Sequence, residues 1–156
     1  MDDHYSVYEE KARKIFASSI YMVIGTSTKD GKPWVAPVLY VHDKDYCLYF
    51  LSAVDALHAK NILNNPEVSI SIFDSHQKIG FSDGIQIDGT ASLVERGEIK
   101  KAITLYCAKV YPNSDMEPTK RYVPDEYLGV SEFRFFKVKP INIYVTGEDR
   151  HTKVEL

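Results

Sequence analysis

Apolar residues recur along this chain mostly with the period of two that marks half-buried strands. Ile20, Met22 and Ile24 alternate with Tyr21, Val23 and Gly25, which predicts a strand over Ile20–Thr28. Lys32–His42 and Tyr46–Ser52 follow it in hairpin succession. Asp30-Gly31 stands between the first two, a pair that accepts the positive φ values of a tight type I′ turn. Val68, Ile70 and Ile72 alternate with Ser69, Ser71 and Phe73 in a fourth strand. Gly84–Val94 sets Ile85, Ile87, Ala91 and Leu93 against Gln86, Asp88, Thr90 and Ser92, a long strand with one wet or ligand-facing side. Gly89 in its middle marks a bulge or a close backbone approach. Glu132–Val138 and Ile141–Val145 read as two more strands, with Pro140 as a break between them.

Three segments carry the helical period instead. In Ser6–Ser18 the residues Tyr8, Ala12, Ile15 and Phe16 share a stripe, and Ser6 with Glu9 has capping-box spacing. Asp55–Asn65 is a short polar helix stopped at Pro66. Glu98–Val110 aligns Ile99, Ala102, Ile103, Tyr106 and Val110, and Pro112 ends it. Pro112–Gly129 holds three prolines and no period, as a long loop or lid does. The pattern predicts a mainly β (α+β) single domain over 1–146. Its architecture is a six- to seven-stranded antiparallel split β-barrel with about three flanking helices, and a polar, frayed tail occupies 147–156.

Size and charge narrow the function. A chain of 156 residues and 17.8 kDa buries roughly 70% of its unfolded surface, so no disulfide is needed. Cys47 and Cys107 lack metal-site spacing and are expected as buried reduced thiols. A net charge of −3, with no basic run, argues against nucleic acid and anionic membrane as partners. Met1-Asp2-Asp3-His4 lacks the order of a signal peptide, and no apolar run reaches the ~20 residues of a membrane span. The expected location is the cytoplasm. Eleven Tyr, seven Phe and one Trp exceed what a minimal core requires, which points to a ligand pocket or subunit interface, although Tyr is also a good strand residue.

Among catalytic signatures, P-loop, GxGxxG, GxSxG, HExxH and zinc-finger spacings are all missing from the sequence. What remains is the corner where the third strand gives way to a helix. There Ser52, His58 and Lys60 offer a hydroxyl, an imidazole and an ammonium near a helix N-terminus, a natural anion site.

Four stretches in this order resemble the pyridoxamine 5′-phosphate oxidase-like family of split barrels that bind flavin mononucleotide (FMN). They are Gly31–Val38 (GKPWVAPV), Leu48–Ser52 (LYFLS), His58–Ser69 (HAKNILNNPEVS) and Gly84–Ala91 (GIQIDGTA). The resemblance implies a homodimer with two FMN sites at its interface. It places the backbone of Ala36, Pro37 and Val38 against the flavin ring, and the phosphate at the strand end, Leu51 and Ser52, and on the following helix. His58 falls where the family usually has a phosphate-binding Lys, and Gly84 where the oxidase carries a flavin-contacting Gln. Gln86, of the same strand parity, is the candidate to fill that role. Lys60 lies roughly 200° around the helix from His58 and does not replace it. A His with an ordinary pKa near 6.5 is only partly charged at neutral pH, so an imidazolium holding phosphate would give an FMN affinity that falls from pH 6 to 8.

Each residue also has a plain structural role open to it: Ser52 as a helix cap, His58 as a core histidine, Lys60 as surface charge, Gln86 on a wet barrel face, Trp34 in core or interface. Arg121, Tyr122 and Arg134 are candidates to complete a substrate or phosphate site from the partner chain. The leading reading is an FMN-dependent oxidoreductase, with two-electron transfer through the flavin and a small-molecule substrate or reduced nicotinamide. The alternatives are a non-catalytic or weakly catalytic binding protein for flavin, haem or deazaflavin on the same dimeric barrel, and a structural or stress-associated dimer with an empty cleft. The C-terminal segment that binds pyridoxal-type substrates in the true oxidase is not recognisable in Glu132–Leu156.

Overall fold

The alternating segments form one curled antiparallel sheet, a split barrel. The computed structural model describes residues 3–115, 122–147 and 151–156, with side chains from Val7 onward. Its strands are β1 (Tyr21–Ser27), β2 (Pro33–Leu39), β3 (Val41–His42), β4 (Leu48–Ala53), β5 (Glu67–Phe73), β6 (Gly84–Leu93), β7 (Phe133–Thr146) and β8 (His151–Val154). The helices are α1 (Asp3–Ser18), α2 (Leu57–Asn64) and α3 (Ile99–Val110), and none among the described residues is long and apolar enough to cross a membrane.

The sheet runs β2-β1-β5-β6-β7-β4-β3, with β8 added on β7. Its two edges, β2 and β3, are consecutive in the chain and joined at Tyr40, so the sheet curls back on itself. The expected strand Lys32–His42 is therefore divided. Its first part pairs with β1 and its second with β4. β4 then pairs with β7 over Leu48–Ala53, a long-range partner that the local meander does not reveal.

Local geometry corrects four expectations. The first hairpin is not type I′. Gly31 takes φ +86°, but Tyr46 is the only non-glycine with positive φ among the described residues, so Asp30 does not. Gly31 N donates to Thr28 O (2.9 Å) and Thr28 N to Lys32 O (3.0 Å), a three-residue loop closed by a left-handed glycine. Pro140 does not break the last strand: β7 runs through it, opposite Gly89, at a bulge in the β6–β7 register. On its other side β7 pairs with β4 only up to Val138 and with β8 only from Ile143, so the missing Pro140 N–H costs no ladder bond there. The polar tail is not frayed at 151–154. It forms β8, and Val154 is buried in the core. Finally, α1 begins before Ser6, which therefore lies inside the helix rather than at its cap.

Two cores flank β4 and β7. Inside the barrel, Leu48 and Phe50 meet Phe136, Ile24, Ile70 and Ile87, while α1 inserts Ala12 and Phe16. Phe16 O accepts the Tyr40 hydroxyl (3.2 Å), tying α1 to the seam between β2 and β3. Outside, the opposite parity of the same strands gives Tyr49 and Phe135 to Ile99 and Ala102 of α3. Each such buried Phe contributes roughly 1.5–3 kcal/mol. Pro112–Gly129 is not wholly irregular, since short 3-10 turns occupy Tyr111–Asn113 and Pro124–Tyr127. Arg121 lies outside the described residues. Cys47 and Cys107 are free and half-buried, rather than buried as expected.

Candidate functional site

The corner after β4 is built by a tight turn. Val54 N donates to Glu132 O (2.9 Å) and Ala56 N to Ala53 O (3.3 Å), which turns the chain into α2. α2 starts at Leu57, two residues later than expected, and is held by its far side. Asn61 Nδ2 donates to Thr26 Oγ1 (3.1 Å), Asn65 Nδ2 donates to Ser27 Oγ (3.0 Å), and Ala59 and Ile62 enter the core. No side chain caps its N-terminus and no acidic residue stands in its first turn. The partial positive charge of the helix start is left for something else to use.

Ser52 and His58 meet at this start. Ser52 Oγ lies 2.8 Å from His58 Nε2 and also donates to Ala53 O (3.2 Å), so it is not the helix cap. His58 is half-buried, and burial pushes its pKa below the ordinary 6.5. Burial thus favours the neutral imidazole, the direction opposite to the one a phosphate-binding imidazolium needs. Lys60 is exposed on the opposite side of the helix.

Directly across from Ser52 in the β4–β7 register is Arg134. Residues so paired point to the same face, with Cβ atoms roughly 4.5–5.5 Å apart. Arg134 is only 6% exposed, yet among the described residues it forms no ion pair. One guanidinium nitrogen donates to Gly129 O (2.5 Å), while Nε is buried without a hydrogen-bond partner. The sequence had offered Arg134 only as a contribution from a partner chain. Pairing register, which no local pattern displays, puts it beside Ser52 of its own chain.

The remaining predicted residues spread along the barrel. Ala36 and Val38 point into the core and Pro37 outward, on a strand whose far edge has no partner. Alternate backbone groups along that edge are available to a ligand. β2 and β4 approach across the split without pairing, so the Ala36–Val38 segment and the corner border one seam. Leu51 turns its side chain away, under α3. Gln86 is not brought to Ser52 within one chain. It lies on the outer face of the sheet, where with Val23, Gly25, Val35, Ser69 and Tyr144 it lines a groove of about 430 Å³. That is within the size range of small-molecule sites, roughly 300–1,000 Å³. Trp34 and Ile141 line a second groove sharing Gly25, Val35 and Ser69. Tyr122 stacks on Tyr127 near Tyr106 and takes no part in the corner.

The chain matches the pyridoxamine 5′-phosphate oxidase family over residues 8–146. It belongs to that family. No curated protein matches it by sequence. Among solved structures, a heme binding protein from Mycobacterium smegmatis superposes with TM-score 0.72 at 22% identity, over 93% of this chain and 56% of that one. This chain therefore spans little more than half of that protein's length. HutZ, the heme storage protein of Vibrio cholerae, gives TM-score 0.66 at 20% identity, over 88% and 94% of the two chains. An F420 reductase gives 0.60 at 19% identity, over 84% and 94%. At these identities the likeness establishes the shared barrel and nothing of the ligand.

Proposed function

We propose that the protein is a homodimeric FMN-dependent oxidoreductase whose cofactor lies along the seam between β2 and β4. The observation that carries this reading is the corner itself: an uncapped helix start, the Ser52 hydroxyl and a buried guanidinium stand beside an unpaired strand edge. A phosphorylated planar ring needs these two kinds of surface side by side. The residues present fit FMN. The helix start and Ser52 would take the phosphate, and the Ala36–Val38 backbone would hydrogen-bond the polar rim of the ring. When bound, FMN would supply two-electron transfer; the chain supplies binding, orientation and shielding from water.

The partner in this reading is a second copy. The outer face shows Tyr21 and Val35, both more than half exposed; Val35 lines the groove that includes Gln86, and the equally exposed Ile141 lines the groove adjoining it. Covering it with another protomer removes that apolar surface from water and lets Gln86 reach the partner's site. The working compartment we propose is the reducing cytoplasm, where Cys47 and Cys107 stay thiols. Haem or a deazaflavin on the same barrel is the alternative, and proteins of like fold that bind haem favour it. Against haem, no histidine lines either groove just described, and His58 Nε2 is engaged by Ser52.

Thermal unfolding with and without FMN tests the reading. A ligand bound only by the native state at 100 times its Kd stabilises it by about 2.7 kcal/mol, which raises Tm by several degrees. The expected result is that rise with FMN, and bleaching of the flavin band by reduced nicotinamide. A Tm unmoved by FMN but raised by hemin would replace this reading with the alternative.

A further inference from the structure

The unexplained charge of this molecule is Arg134. A guanidinium buried to 6% exposure without a carboxylate, and with Nε unbonded, has one cationic demand that the described residues do not meet. It shares a sheet face with Ser52, whose hydroxyl is already at the start of α2. Ser52 therefore links the two: it neighbours Arg134 across the strands and contacts His58 in the first turn of the uncapped helix, all within one chain. We propose that Arg134 is the residue that binds the phosphate monoester at this corner, in place of the lysine that His58 displaces. The identity of the ligand as FMN rests on the reading above; the anion site itself does not.

The chemistry suits the position. Arg is always protonated and presents a planar fork that matches two phosphate oxygens at once, so its grip is insensitive to pH where that of an imidazolium is not. Other titratable groups close to the corner are His58 on α2, Asp55 in the turn and Glu132 before β7, and both carboxylates are exposed. Arg134, across the strands from the Ser52 that contacts His58, is the permanent charge.

FMN and riboflavin differ only by the phosphate, so their relative affinity isolates this contact. Fluorescence titration of the native protein should show FMN binding at least tenfold tighter than riboflavin. That preference should hold or rise from pH 6 to 8.5, because the phosphate gains its second charge near pH 6. Arg134→Met should abolish the preference while leaving riboflavin affinity within twofold, and Arg134→Lys should keep part of it. A preference that fades above pH 7 in the native protein would assign the phosphate to His58 and overturn the proposal, as would an Arg134→Met protein that still prefers FMN. The pH profile decides the matter on native protein even where the Met variant does not fold. If the native protein binds neither flavin, the flavin reading fails, and inorganic phosphate becomes the probe. A Tm rise with phosphate over chloride at equal ionic strength, lost in Arg134→Lys or Arg134→Met, then supports the anion site. No rise overturns it.

Discussion

A carboxylate as buried as Asp43 persists because all its acceptor capacity is used. Oδ1 accepts the backbone N–H of Asp45 and of Cys47 (3.0 Å each), which shapes the turn between β3 and β4. Oδ2 accepts the Tyr49 hydroxyl (3.2 Å) and Lys101 Nζ (2.5 Å), which fastens α3 to the sheet. Burial is the largest single influence on its pKa and pushes it up. The Lys101 hydrogen bond, the two amide donors and the charge of Lys101 together outweigh burial and leave it below the ordinary 3.8. The unfolded chain therefore takes up the proton first, so this stabilisation is present above about pH 4 and is lost as pH falls through the folded value. Asp43→Asn turns an acceptor into a donor facing Lys101, at a cost of about 2–3 kcal/mol. Urea unfolding at pH 7 should show that loss, and between pH 7 and pH 3 the variant should lose less stability than the native protein. Nothing in the sequence singles out Asp43, because its cationic partner Lys101 lies on a distant element that meets it only in the fold.

Elements here are set by where backbones crowd. A Cβ on Gly89 would stand 2.5 Å from Lys139 O and 3.3 Å from Pro140 Cα, both backbone atoms of the strand opposite. A Cβ on Gly25 would stand equally close to Ser69 Oγ, the end of a side chain that can rotate away. The two glycines look alike in sequence, but the expected outcomes differ. Gly89→Ala should destabilise by about 2–3 kcal/mol through forced separation of β6 and β7, and Gly25→Ala by less than 1 kcal/mol. Denaturant midpoints of the two variants measure the contrast. The period of Gly84–Val94 had already marked Gly89 as a bulge or close approach, and it is both. That the backbone approached is Lys139–Pro140 is not legible in the sequence, since a proline between two short apolar runs reads locally as a stop.

At the scale of the whole molecule, the apolar outer face is the feature that a lone chain does not account for. Val35 and Ile141 stand 65% and 63% exposed on it. If a second copy covers them, Val35→Asp and Ile141→Asp place charge in a desolvated contact. Sedimentation should then show the native protein at twice the 17.8 kDa chain mass and the double variant at the single mass, with its far-ultraviolet circular dichroism unchanged. A native protein that sediments as a single chain would remove the shared-site arrangement and leave the grooves as surface features.

The barrel was readable from sequence because period-two alternation and glycine-proline punctuation act locally, and each strand carries its own buried face. The corner was readable as far as Ser52 and His58, six residues apart on adjoining elements. Which edges meet, which strand lies opposite Ser52, and how far burial lowers the pKa of His58 depend on residues dozens of positions away. Arg134 is legible in the sequence only as a residue a partner chain could supply; its place opposite Ser52 of its own chain follows from strand register, a relation that exists only once the chain has closed the sheet.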